Sequence, residues 1–78
     1  MPNVKIYSTP YCVYCKLAKE YFKKNNVAYE ELDVLADHVA RKEMVDISHQ
    51  LGVPVIKVDD HVVVGFDREI LAQLLDIK

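Results

Sequence analysis

The chain has no tryptophan, only two glycines and only two cysteines, and no apolar run in it approaches the roughly 20 residues that a membrane-spanning helix needs. It also lacks repeats, low-complexity tracts and Pro/Gly/Ser-rich linkers, which excludes a disordered or modular chain. The net charge of -2 provides no basic footprint for nucleic acid. The N-terminal MPNVKIYS has neither the basic flank nor the apolar stretch of a secretory signal, so a cytoplasmic, reducing setting is expected. What is present is 51 % hydrophobic and 28 % charged residues in a chain of 78, the composition of one folded domain spanning residues 1–78. A chain of this length buries only about 60 % of its unfolded surface, enough for a single compact core.

Hydrophobic period and punctuation predict seven elements. Residues 3–7 alternate Val4 and Ile6 inward with Lys5 outward, as a first strand does, and Ser8, Thr9 and Pro10 break it. Over residues 13–25, Tyr14, Leu17, Ala18, Tyr21 and Phe22 fall at helical spacing, with lysines on the opposite face; Asn25 and Asn26 stop the helix. Residues 27–34 read as a second strand. Asp37 caps a second helix whose buried stripe is Ala40, Met44, Ile47 and Leu51 and which Gly52 ends. Residues 55–58 and 61–64 are β-branched runs joined by Asp59 and Asp60, a hairpin turn calling for left-handed backbone. Asp67 caps a last helix with Ile70, Leu71, Leu74 and Leu75 on its buried face. The predicted order is βαβαββα, an α/β fold.

The chemistry lies in Cys12 and Cys15, separated by two residues where the first strand gives way to a helix. A disulfide closing so short a loop constrains the unfolded chain little and would not persist in a reducing compartment. A structural zinc site needs four ligands, and His38, His49 and His61 show no paired spacing to complete one, so no metal is expected. Two unrelated core cysteines would not require a strand-to-helix junction preceded by a Thr-Pro-Tyr turn. A redox pair does: at the helix N-cap, unpaired amides and the positive end of the macrodipole favour the Cys12 thiolate, while Cys15, one turn on, points inward and stays protonated.

Cys12-Val13-Tyr14-Cys15 after the first strand, Gly52-Val53-Pro54-Val55 before the third, and Val64-Gly65-Phe66-Asp67 before the last helix together resemble the glutaredoxin family of the thioredoxin fold. The resemblance covers essentially the whole chain. It implies a four-stranded mixed sheet flanked by three helices, the first and last on one face and the middle one on the other. It also implies a thiol-disulfide oxidoreductase in which Cys12 attacks and Cys15 resolves, acting on disulfide-containing proteins as a monomer, with no tightly bound cofactor and glutathione as reducing co-substrate.

Residue by residue, the resemblance implies a cis Pro54 facing the cysteines, with the Val53 backbone free to pair with a thiol substrate. It places Tyr11 and Tyr14 as aromatic contacts around the pair. It assigns Gly65, Phe66 and Asp67 to the substrate-binding turn; the acidic residue that meets the ammonium group of glutathione is either Asp67 or, with the register one further on, replaced by Arg68. Two positions depart from the family pattern: Val13 stands where many members carry proline, and Val64 replaces the first of two glycines. The pattern is also similar to small redoxins that take electrons from thioredoxin reductase and pass them to ribonucleotide reductase. A binding module holding an iron-sulfur cluster between two chains through Cys12 is a further alternative, one that brown colour on anaerobic purification would reveal.

Overall fold

Local signals place the elements, and strand pairing brings them together. The structure, a computed structural model, describes residues 2–77. In order, the elements are β1 (Val4–Ser8), α1 (Val13–Lys24), β2 (Glu30–Asp33), α2 (His38–Ser48), β3 (Val55–Val58), β4 (His61–Val64) and α3 (Arg68–Leu75). This is the expected βαβαββα sequence. The sheet order is β2-β1-β3-β4; β1 runs parallel to β2 and antiparallel to β3, and β3 and β4 form the hairpin.

Because β1 is central, both its faces are covered. Val4 and Ile6 join Ala18 and Phe22 of α1, Ile56, Val58, Val63 and Leu71 of α3 in one buried cluster. Tyr7, on the other face, packs with Val34, Val55, and Ala40 and Met44 of α2. α1 and α3 therefore share one face of the sheet, and α2 lies on the other, as expected.

Several expected details are corrected. Tyr14 and Leu17, although at the apolar spacing of α1, are 64 % and 42 % exposed, and the buried row is Cys15, Ala18 and Phe22. Tyr14, Leu17 and Tyr21 form the adjacent helical row. Of these, Tyr21 is the one that meets aromatic neighbours, with its ring edge-on to Phe66 at 5.8 Å. Leu51 is likewise exposed, because α2 ends at Ser48 rather than near Gly52. His49 adopts the left-handed conformation (φ 61°) and caps the helix through its N–H to the Val45 carbonyl. Ser48 Oγ donates to the Met44 carbonyl at 2.6 Å, the local competition that favours stopping a helix at serine. Ile70 is 44 % exposed, whereas Leu71 is fully buried, so the inward stripe of α3 is narrower than its spacing suggested. β2 is half the expected length; the Val27 N–H instead closes the end of α1 on the Phe22 carbonyl at 2.8 Å. In the hairpin turn, Asp59 (φ 52°) but not Asp60 is left-handed, and Asp59 Oδ1 accepts from the Asn3 N–H at 2.9 Å.

One part-buried polar contact supports a stability prediction. The Tyr7 side chain is fully enclosed, and its hydroxyl donates to the Glu43 carboxylate of α2, which also lies 3.8 Å from Lys5 Nζ. Burial, then the bond to Glu43, pushes the phenol above its usual range. Glu43→Ala leaves that hydroxyl unpaired and is expected to cost about 1–3 kcal/mol, whereas Tyr7→Phe removes the donor itself and costs about 0.5–1.5 kcal/mol. Urea midpoints of the two variants check the order; equal losses would count against it.

Candidate active site

Pairing of Tyr7 with Val55, and of Val55 with Val64, fixes one end of the sheet. The segment leaving β1, the residues entering β3 and the residues leaving β4 all emerge there. Residues 9–12, Pro54 and residues 65–67 are thus brought together although they are far apart in sequence. Pro54 is buried, its bond to Val53 is cis, and its carbonyl accepts from the Gly65 N–H at 2.8 Å. Gly65 has φ 85°, a conformation that side chains disfavour, but a Cβ there would meet no atom within 4 Å. The turn geometry, rather than crowding, is what calls for glycine.

Cys12 is the N-cap of α1, with extended backbone (φ -91°, ψ 114°). Its sulfur accepts from the Cys15 N–H at 3.2 Å, so one of the amides left unpaired at the helix start is directed at it. The Cys12 carbonyl accepts from Lys16 N–H at 3.2 Å, and its own N–H reaches the Thr9 carbonyl at 3.4 Å, which holds the cap in place. Cys12 is partly exposed, while Cys15 is completely buried; both are free thiols. Burial is the main reason the Cys15 thiol is pushed up to about 12, and its hydrogen bond with Cys12 adds to this; the Thr9 backbone and the charge of Lys19 act in the opposite direction. Two chemically identical side chains are thereby made unequal by position.

The remaining expected site residues divide by exposure. Tyr11 is 87 % exposed, and Val13 and Tyr14, which flank Cys12 in the chain on its other side, are exposed as well. Val53 and Phe66 are half-buried, Phe66 against Tyr21. Asp67 is exposed, and its Oδ1 accepts from the Ile70 N–H at 3.2 Å as the cap of α3. The Arg68 guanidinium lies over the Tyr21 ring, 5.5 Å from its centroid.

Sequence reasoning did not single out Ser8, Lys19 and Glu31, which form a hydrogen-bonded group on the α1 face of the sheet. The one available signal was the four-residue spacing of Lys19 from Cys15, which puts both on one helical face. Among the described residues, no three His, Cys, Asp or Glu side chains converge where they could hold a metal ion, and no helix is long and apolar enough to cross a membrane.

A mixed four-stranded sheet between α1 and α3 on one side and α2 on the other, with a Cys-x-x-Cys pair at the start of α1 and a cis proline at the same end of the sheet, defines a thioredoxin-like redox protein. Within that class the family model for glutaredoxin matches residues 4–63, and the chain belongs to the glutaredoxin family. It is 42 % identical over 73 residues to an uncharacterized glutaredoxin-like 8.6 kDa protein in the rubredoxin operon of Clostridium pasteurianum, covering 94 % of this chain and 97 % of that one. It is 34 % identical over 67 residues to glutaredoxin 3 of Escherichia coli strain K12, covering 86 % and 81 %. Among solved structures, a mutant of the thioredoxin-like protein BC3987 superposes with a TM-score of 0.92 at 41 % identity over all of both chains. Membership implies, for the family in general, thiol-disulfide oxidoreductase activity.

Proposed function

We propose that this chain reduces protein disulfides and glutathione mixed disulfides by a dithiol mechanism. The Cys12 thiolate attacks one sulfur of the substrate disulfide, a mixed disulfide forms on Cys12, and the other substrate sulfur departs as a thiolate. Cys15 then gives up its proton and attacks Cys12 Sγ, which releases the second substrate thiol and leaves a Cys12–Cys15 disulfide. The observation that carries this reading is the inequality of the pair: a partly exposed sulfur at a helix N-cap, accepting the amide of a fully buried one. The exposed side chains of Tyr11, Val13 and Tyr14, next to Cys12 in the chain, offer apolar surface to a substrate reaching that sulfur. The Val53 backbone, beside the cis proline, supplies main-chain groups for an extended substrate.

Glutathione is the proposed reductant of the resulting disulfide. The start of α3 can receive its carboxylate, and Asp67 can pair with its ammonium group, although the same carboxylate already caps the helix. The Asp67→Asn variant should keep the fold, since asparagine caps comparably, and should raise the KM for glutathione about two- to fivefold, because an exposed ion pair is worth at most about 1 kcal/mol. The deciding assay supplies the oxidised protein with glutathione plus its reductase in one reaction and with thioredoxin reductase in another. Rapid reduction by glutathione supports the proposal; slow reduction there with rapid reduction by thioredoxin reductase would replace glutathione by the reductase.

A further inference from the structure

The resolving step asks a fully buried thiol to lose its proton, and the hydrogen-bonded group of Ser8, Glu31 and Lys19, the last one helical turn along α1 from Cys15, has no part in the mechanism so far. Ser8, 1 % exposed at the end of β1, lies on the sheet face of Val4 and Ile6 that α1 covers. Glu31 of β2 stands beside Ile6 in the parallel register and so shares that face. Ser8 Oγ donates to Glu31 Oε2 at 3.0 Å, and Lys19 Nζ donates to the same oxygen at 2.7 Å. Lys19 follows Cys15 by four residues, which sets their Cβ atoms about 5–6 Å apart on one face of α1. A lysine side chain free in water loses entropy when it is fixed; here the tether is already made, with the side chain only 25 % exposed.

We propose that Lys19, held in place by Glu31 and Ser8, is the positioning residue for resolution: its ammonium stabilises the Cys15 thiolate as that sulfur attacks the mixed disulfide on Cys12. The inference rests on the dithiol reading above. In the step, the Cys15 S–H proton passes to solvent, and the sulfur's electron pair forms the bond to Cys12 Sγ. The bond between Cys12 and the substrate sulfur breaks, and that sulfur leaves with its pair and is protonated. The dithiol is oxidised by two electrons, and the substrate is reduced by two.

The charges around Cys15 agree with this assignment. The Thr9 backbone and the charge of Lys19 both favour ionisation of Cys15. Glu31 and Tyr29 face Lys19, and the bond to Glu31 holds the ammonium above its ordinary range, so it remains charged at neutral pH. Ser8, Lys19 and Lys23 in turn hold Glu31 ionised, below the usual carboxylate range.

The test uses dithiobis-nitrobenzoate, which releases one coloured thiolate when Cys12 is modified and a second when Cys15 resolves the adduct. The second phase is followed between about pH 6 and 9. Loss of a nearby opposite charge lowers the thiolate fraction. The more basic thiolate is also more nucleophilic, with a Brønsted slope of about 0.4–0.5, so the net slowing is modest, about threefold. Lys19→Met is therefore expected to slow the second phase about threefold relative to the first, and Lys19→Arg to restore it. Glu31→Gln keeps an acceptor for both donors while removing the opposing charge, and should speed it. Unchanged phases in Lys19→Met, or equal slowing in Lys19→Met and Glu31→Gln, would overturn the inference. A wild-type protein with no second phase would overturn the dithiol reading instead.

Discussion

Cys12→Ser is expected to abolish thiol exchange, by more than about 10⁴-fold, as loss of a nucleophile does in other enzymes. Cys15→Ser should behave differently: it still forms the mixed disulfide with glutathione but no longer turns over protein disulfides, because nothing attacks Cys12 from within. The asymmetry has a structural cause. Cys12 is partly exposed and receives the Cys15 amide, whereas Cys15 is fully buried and pushed up to about 12. At pH 7 a thiol so raised stays protonated, so iodoacetamide should label Cys12 long before Cys15. Mass spectrometry after brief alkylation reads the order directly. Labelling of Cys15 first, or equal loss of glutathionylation in both serine variants, would remove the assignment of roles.

Phe22→Ala should remove a large share of the protein's stability. Phe22 is fully buried among Ile6, Ile56 and Leu71, with its ring centroid 5.4 Å from that of Tyr29 and 6.2 Å from that of Tyr21. Truncating a buried phenylalanine costs about 3–5 kcal/mol. A chain of 78 residues has a total stability of about 4–12 kcal/mol at typical values per residue. Tyr14→Ala, at an exposed position on the same helix, should change stability by no more than about 0.5 kcal/mol. Urea unfolding of the two variants, with unchanged slopes, measures the contrast; a loss below about 1 kcal/mol for Phe22→Ala would mean that this cluster does not carry the core.

The Lys19 inference adds a third handle on the same pair of thiols. Where Cys12→Ser and Cys15→Ser ask which sulfur does what, Lys19→Met and Glu31→Gln ask what sets the speed of the second step. Their opposite signs separate an electrostatic role from a merely structural one.

Element order was legible in the sequence because it depends on neighbours along the chain. The alternation in VKIY, the helical spacing of Ala18 and Phe22, the caps Asp37 and Asp67 and the β-branched hairpin each act within a few residues, and each element appears where they indicate. The position of Cys12 at the start of α1 was legible for the same reason: a helix N-cap is a local event. Helical period alone did not reveal which apolar residues would be covered. Tyr14, Leu17, Leu51 and Ile70 sit at plausible core spacing and are exposed, since burial requires a second element across from the side chain, and none covers them. The end of α2 shows the same limit: the left-handed turn at His49 and the Ser48 bond to Met44 stopped it three residues short of the apolar pattern, which continues to Leu51.

From sequence alone came the order of the elements, the family resemblance and the location of Cys12 at a helix N-cap, all carried by short-range spacing and capping. Tertiary structure alone decided the burial of Cys15, the meeting of Pro54 with Gly65, and the convergence of Ser8, Lys19 and Glu31. Each of these depends on strand register, which brings residues distant in the chain to the same end or face of the sheet. A slip of one residue between β1 and β2 would turn Glu31 to the opposite face and leave Lys19 without its tether.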